Sequence, residues 1–185
     1  MNNFKDLIES FEEFNYPRVT RGPRSYELSE EFIFAEIERL LSMYKELTTV
    51  DQRARLIRDG IDMYLRRYHG YAVEGSIGSH YREVGVSSSL CDFEHVIPQA
   101  KIRDLLIKEK LTIRQAMNPP TCLIHKQNHI ALKQAGWASK TPSIWHFFDR
   151  YTGVFTAQFE THNGQLITNP HDWTLETHYN YFGIV

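Results

Sequence analysis

The sequence predicts an α+β fold. Three features carry that expectation: a first half patterned at the helical period, a central stretch with two short apolar runs leading into another periodic segment, and an aromatic-rich end with a hairpin turn signal. Residues 2–14 set Phe4, Leu7, Ile8 and Phe11 on one helical stripe before Pro17, Gly22 and Pro23 break the pattern. Ser29 reads as an N-cap, with Glu30 and Glu31 in the first turn, where the helix dipole favours acids. Ile33, Ile37, Leu40, Leu41 and Tyr44 then form a long apolar face. Thr49 and Gln52 resemble a capping box opening a third helix, with Ile57, Ile61, Tyr64, Leu65 and Tyr68 as its apolar face and Gly70 as its stop.

Between residues 70 and 90 the composition shifts to glycines and a Ser87-Ser88-Ser89 run, which predicts loops with short strands. The expected organisation is a helical region over 1–70, a central unit over 71–140, and a C-terminal region over 141–185 packed on that unit. In the last region, residues 144–151 suggest a short helix. The runs Phe155–Phe159 and Gln165–Thr168 flank Asn163-Gly164, a strong hairpin turn. Asn169-Pro170 is placed to open a final helix through Tyr181.

With 42% hydrophobic and 24% charged residues among 185, the composition is that of a globular protein, and no apolar run reaches the length of a membrane span. The segment MNNFKDLIESFEEF lacks a basic stretch followed by an apolar one, and the chain has only two cysteines, Cys91 and Cys122. A cytoplasmic protein with reduced thiols is expected. The net charge of −2 conceals a local surplus. Residues 91–140 hold eight Lys and Arg against four Asp and Glu, and the positive stretch coincides with the motif below.

The informative segment is CDFEHVIPQAKIRDLLIKEKLTIRQAMNPPTCLIHKQNHIALKQAG, residues 91–136. Leu90 to Phe93 is a short strand leading into Glu94-His95, and Pro98 ends it because proline cannot continue a ladder. A helix is predicted over 100–109, and Thr121 to Ile124 is a second strand. His125 to Leu132 reads as a helix start. At that spacing His125 and His129 share a helix face, which suits a transition-metal ion.

The Glu94-His95-Val96-Ile97-Pro98 element, a central asparagine and a helix histidine together resemble the HNH, or ββα-metal, endonuclease family, over roughly residues 88–135. The resemblance implies a ββα-metal core between the helical N-terminal region and the C-terminal α/β extension. It implies hydrolysis of DNA phosphodiester bonds, by nicking or double-strand cleavage, leaving a 5′-phosphate and a 3′-hydroxyl. His95 would be the general base and Glu94 and His129 metal ligands, with His125 a possible third ligand. Asn118 would brace the loop that orients His95. Lys101, Arg103 and Lys126, in the positive stretch, are the expected phosphate contacts. Mg²⁺ is the first choice of ion because Glu94 offers a hard oxygen, and Mn²⁺, Ni²⁺ or Zn²⁺ gain ground if both histidines bind.

The chain departs from the family pattern in three ways. The interval from His95 to Asn118 is long, Asn118 precedes two prolines so that Asn128 competes for its role, and the Cys-x-x-Cys pairs of many members are missing. Two other readings stand beside this one. Cys91, Cys122, His125 and His129 would make a structural zinc site in a nucleic-acid-binding module without catalysis. The same core would also serve an RNA-cleaving or toxin-type nuclease. Oligomeric state is left open.

Overall fold

A computed structural model of the chain describes residues 23–49, 51–69 and 78–185, with side chains from residue 30 onward. The helix expected over 2–14 and the Gly70 stop lie outside the described residues. The architecture is mixed α+β.

Helix α1 spans Pro23–Lys45, so Ser29 lies within the helix and not at its start. Helix α2 spans Gln52–His69. Its cap is Asp51, whose carboxylate accepts from the backbone N–H groups of Arg53 (2.8 Å) and Ala54 (3.2 Å), so the expected Thr49 box gives way to a residue nearer the helix. The two helices bury the predicted stripes against each other: Ile33, Ile37 and Leu40 from one, Ile57, Ile61 and Leu65 from the other. Each fully buried side chain of this kind contributes about 1.5–3 kcal/mol. A Cβ at Gly60 would lie 3.2 Å from Leu40 Cδ1, so the missing side chain is what lets the helices approach there.

Among the described residues five strands form one sheet in the order β2-β3-β1-β4-β5. They are β1 (Tyr81–Glu83), β2 (Cys91–His95), β3 (Thr121–His125), β4 (Phe159–Thr161) and β5 (Leu166–Ile167). β3 runs antiparallel to β2 and parallel to β1. Its residues Thr121 to Ile124 are buried, as expected for a strand covered on both faces. β4 and β5 are the predicted hairpin, shorter than expected, with Gly164 at φ 89° in the turn.

Between β2 and β3 lie α3 (Gln99–Ile107) and α4 (Ile113–Met117). A capping box between Thr112 and Gln115 starts α4. After β3 the chain passes directly into α5 (Lys126–Gln134). Helices α6 (Asp149–Thr152) and α7 (Leu175–Phe182) follow. Tyr81 organises the aromatic C-terminal region, with its ring against Phe147, Phe148, Trp173 and Phe182. Its hydroxyl accepts from Trp173 Nε1–H and donates to His178 Nδ1, both at 2.7 Å. One buried apolar cluster runs from Ile33 of α1 to Tyr179 of α7, so the three sequence regions share a core. Among the described residues no helix is long and apolar enough to cross a membrane.

Candidate active site

The β2–β3 ladder followed at once by α5 makes a strand, strand, helix unit, and the register tells which side chains it gathers. Cys91 faces His125, Phe93 faces Leu123 and His95 faces Thr121, so these six share one face of the sheet. Asp92 and Glu94, facing Ile124 and Cys122, share the other. Helix α5 lies on that second face and brings His129 onto both carboxylates. His129 Nδ1 is 2.8 Å from Asp92 Oδ2, and its Nε2 is 3.2 Å from Glu94 Oε2. A neutral imidazole has one N–H. The shorter contact is an N–H donated to Asp92, and the His129 bond holds that carboxyl below the usual range. The longer contact then sets a nitrogen lone pair against a carboxylate oxygen. That is stable only with a second ring proton or with a cation at that point.

The donors fit a cation in a particular way. A carboxylate on the far nitrogen of a histidine fixes its tautomer and aims its other nitrogen at a metal. The 3.2 Å separation of Glu94 Oε2 and His129 Nε2 is close to the ~3.0 Å edge of an octahedron with ~2.1 Å bonds. A cation placed there would meet two side chains, Glu94 and His129, with Asp92 behind the histidine. Among the described residues no group of three or more His, Cys, Asp or Glu side chains is arranged to hold a metal ion. Glu94's other oxygen, Oε1, lies 2.6 Å from Arg150, whose side chain is 1% exposed. Arg150 also donates to the carbonyls of His95, Val96, Trp137 and Ala138, pinning the end of β2 to the segment after α5.

His125 does not join His129. It is the last residue of β3 and the N-cap of α5, with extended backbone (φ −56°, ψ 138°), and its Nδ1 accepts from Gln127 N–H. The i, i+4 rule needs both residues in the helix, and here only one is. Glu83 completes the helix start by accepting from His125 N–H and from the Asn128 side chain.

His95 looks away from the carboxylates, towards the C-terminal end of α2. Its Nε2 is 2.7 Å from His69 Nδ1, and His69 Nε2 is 3.0 Å from the Ala116 carbonyl. Burial, reinforced by the charge of Arg66, lowers the His95 pKa to about 4, so the ring is neutral near pH 7. Asn118 does not touch His95 through its side chain, which donates to the Arg114 carbonyl and closes α4. The Asn118 carbonyl accepts from buried His178, and two residues on, the Pro120 carbonyl accepts from Val96 N–H, next to His95.

Cys91 and Cys122 lie on opposite sheet faces, so the four-residue zinc set is not assembled. Burial also raises both thiols, Cys122 well above its ordinary value. Lys101 is exposed, and Lys126 is exposed with its Nζ on the Ser89 carbonyl. Arg103 is engaged with Asp62 and Asp104 at 13% exposure, so it serves the α2–α3 junction. Asp92, His69, Glu83 and Arg150 escaped the sequence reading. Only Asp92 had a local signal, since residues two apart on a strand share a face and Glu94 was already in view.

Comparison of the chain with family models, with curated proteins and with solved structures gives no match.

Proposed function

We propose that this protein is a divalent-metal-dependent endonuclease of the ββα-metal type that hydrolyses DNA phosphodiester bonds. The observation that carries the reading is His129, set on the helix of a strand, strand, helix unit with one nitrogen on Asp92 and the other facing Glu94. Glu94 and His129 hold the cation, Mg²⁺ by preference, and leave its remaining positions to water and phosphate oxygens, which is how Mg²⁺ commonly binds. The bound ion supplies charge stabilisation at the phosphate and at the leaving oxygen. Asp92 fixes the His129 tautomer, and Arg150 fixes the Glu94 carboxylate.

His95 is the base that takes the proton of the attacking water. It follows Glu94 directly at the end of β2, which among the described residues is an edge strand of the sheet and whose residues are all half-buried. A nucleic-acid backbone lying along an edge meets side chains from both faces. In-line displacement requires attacking and leaving oxygens on opposite sides of phosphorus, which matches a base and a cation site on opposite faces. The positive surplus of residues 91–140, with Lys101 and Lys126 exposed, supports a polyanionic substrate.

The test is conversion of supercoiled plasmid, and of a single-stranded RNA beside it, with Mg²⁺, Mn²⁺ or EDTA, alongside calorimetric Mn²⁺ titration. Wild type is expected to cleave DNA only with metal. His95→Ala should lose cleavage and keep Mn²⁺ binding, and His129→Ala should lose both. Cleavage in EDTA, or wild-type cleavage by His95→Ala, would refute the assignment. Preference for RNA would move the substrate class.

A further inference from the structure

The base in this reading is itself held by a second histidine, and hydrogen-bond bookkeeping fixes which atom of His95 is reactive. A carbonyl oxygen only accepts, so His69 Nε2, 3.0 Å from Ala116 O, carries a hydrogen. His69 is 1% exposed, and its burial beside another imidazole keeps it neutral. A neutral ring with Nε2–H has its lone pair on Nδ1. The group 2.7 Å from that lone pair, His95 Nε2, must therefore be the donor. His95 is thus the Nε2–H tautomer, and its lone pair lies on Nδ1. The rings meet edge to face, with centroids 4.9 Å apart, and Phe93 closes on His95 from the same sheet face at 5.2 Å. The imidazole is fixed in both orientation and tautomer.

We infer that His69 is a positioning residue for the proposed base: it accepts the His95 Nε2–H while donating to Ala116 O, so that the proton of the attacking water is taken at His95 Nδ1. The inference rests on the nuclease reading above. Water loses H⁺ to Nδ1 as its oxygen bonds phosphorus and the bond from phosphorus to the 3′-oxygen breaks; the departing 3′-oxyanion takes a proton from solvent water, and the imidazolium returns its proton to solvent. The imidazolium that forms has both nitrogens protonated, and its Nε2–H still points at the His69 lone pair. His69 therefore serves the resting and the charged ring without moving, the part a third group plays in orienting a histidine base. Ala116 lies in α4 and Pro120 follows the end of that helix, its carbonyl accepting from Val96 N–H, so the segment from α4 to β3 ties both His69 and the residue after β2.

Two variants separate this role from simple packing. The Gln amide both accepts and donates, so His69→Gln can keep the relay. His69→Leu cannot. Two-bond ¹H–¹⁵N correlation spectra of histidine-labelled protein report tautomers without any catalysis, and His95→Ala assigns the His95 signal. Wild type should show His95 as the Nε2–H form. His69→Leu should release it to a mixture and lower kcat about 100-fold with KM little changed, whereas His69→Gln should fall by less than about tenfold. A His95 signal of the Nδ1–H type in wild type overturns the inference. So do equal losses in the Gln and Leu variants with the tautomer unchanged. If His69→Leu does not fold, the wild-type tautomer and the Gln variant still decide. A wild type with the Nε2–H tautomer and no cleavage of any substrate refutes the nuclease reading, and is told apart from failure of the hydrogen-bond chain by the spectrum.

Discussion

Replacing Arg150 by Met should be among the most damaging single changes in this chain. The guanidinium is 1% exposed and pairs with Glu94, itself 13% exposed. It also donates to four backbone carbonyls, those of His95, Val96, Trp137 and Ala138. Met matches the length and apolar stem of arginine, so lost volume is a minor term. Removing one partner of a buried ion pair typically costs ~3–5 kcal/mol, because the other charge stays behind without compensation. Carbonyls left without donors add ~1–3 kcal/mol after water and local relaxation recover part of the loss. The expected destabilisation is about 4–8 kcal/mol, a large share of the ~5–15 kcal/mol that holds a domain together. At ~2–4 °C per kcal/mol this lowers Tm by roughly 8–32 °C. Urea unfolding followed by far-UV circular dichroism and tryptophan fluorescence, in EDTA, measures it directly. Arg150→Lys should fall between the two, keeping charge but losing the planar fork. The double variant Glu94→Leu/Arg150→Met should be more stable than Arg150→Met alone, since the stranded carboxylate is gone. A loss below ~1 kcal/mol for Arg150→Met, or no recovery in the double variant, would refute the view of Arg150 as a buried clamp.

Two further predictions concern the site and its surroundings. Asp92→Ala leaves both proposed ligands in place but frees the His129 tautomer, so Mn²⁺ affinity should drop roughly 10- to 100-fold in a calorimetric titration, and unchanged affinity would remove Asp92 from the site. Burial lowers the His178 pKa to about 3, against an unfolded value of ~6.5. Below pH ~6.5 the unfolded chain therefore binds protons that the folded chain refuses, so stability rises with pH between about 3 and 6.5 and levels off above that. Each such histidine contributes up to ~1.4 kcal/mol per pH unit in that window, and His69 and His80, also lowered by burial, act in the same direction. Urea midpoints between pH ~5 and ~7 should show the slope, with a shallower one for His178→Gln, and a flat wild-type profile would contradict the buried neutral state.

What the sequence disclosed follows from how far each interaction reaches along the chain. The apolar stripes of α1 and α2, the strand ending near Pro98, the β3 run and the Asn163-Gly164 turn are local patterns, and each appears where the local pattern put it. The three-residue strand β1 has no such pattern, because pairing with β3 on one side and β4 on the other makes it a strand. The pairing of His129 with Glu94 was within reach of motif reasoning. The separation of His125 from His129 was not, because it depends on the strand ending one residue later than the apolar run suggested. His69 meets His95 across 26 positions and Arg150 meets its carbonyl across 55, and no window of sequence holds either pair.

The junction between β3 and α5 has a mechanical consequence. His125 ends the strand and caps the helix, so no linker residue lies between them. Strand pairing and helix phase are thus rigidly geared, and the site has no joint that could absorb an error. One residue inserted at this point would swing His129 about 100° around the helix axis, away from both carboxylates. The imidazole's aim is therefore set by the pairing of Cys91 with His125 at the far end of the ladder as firmly as by any contact of its own.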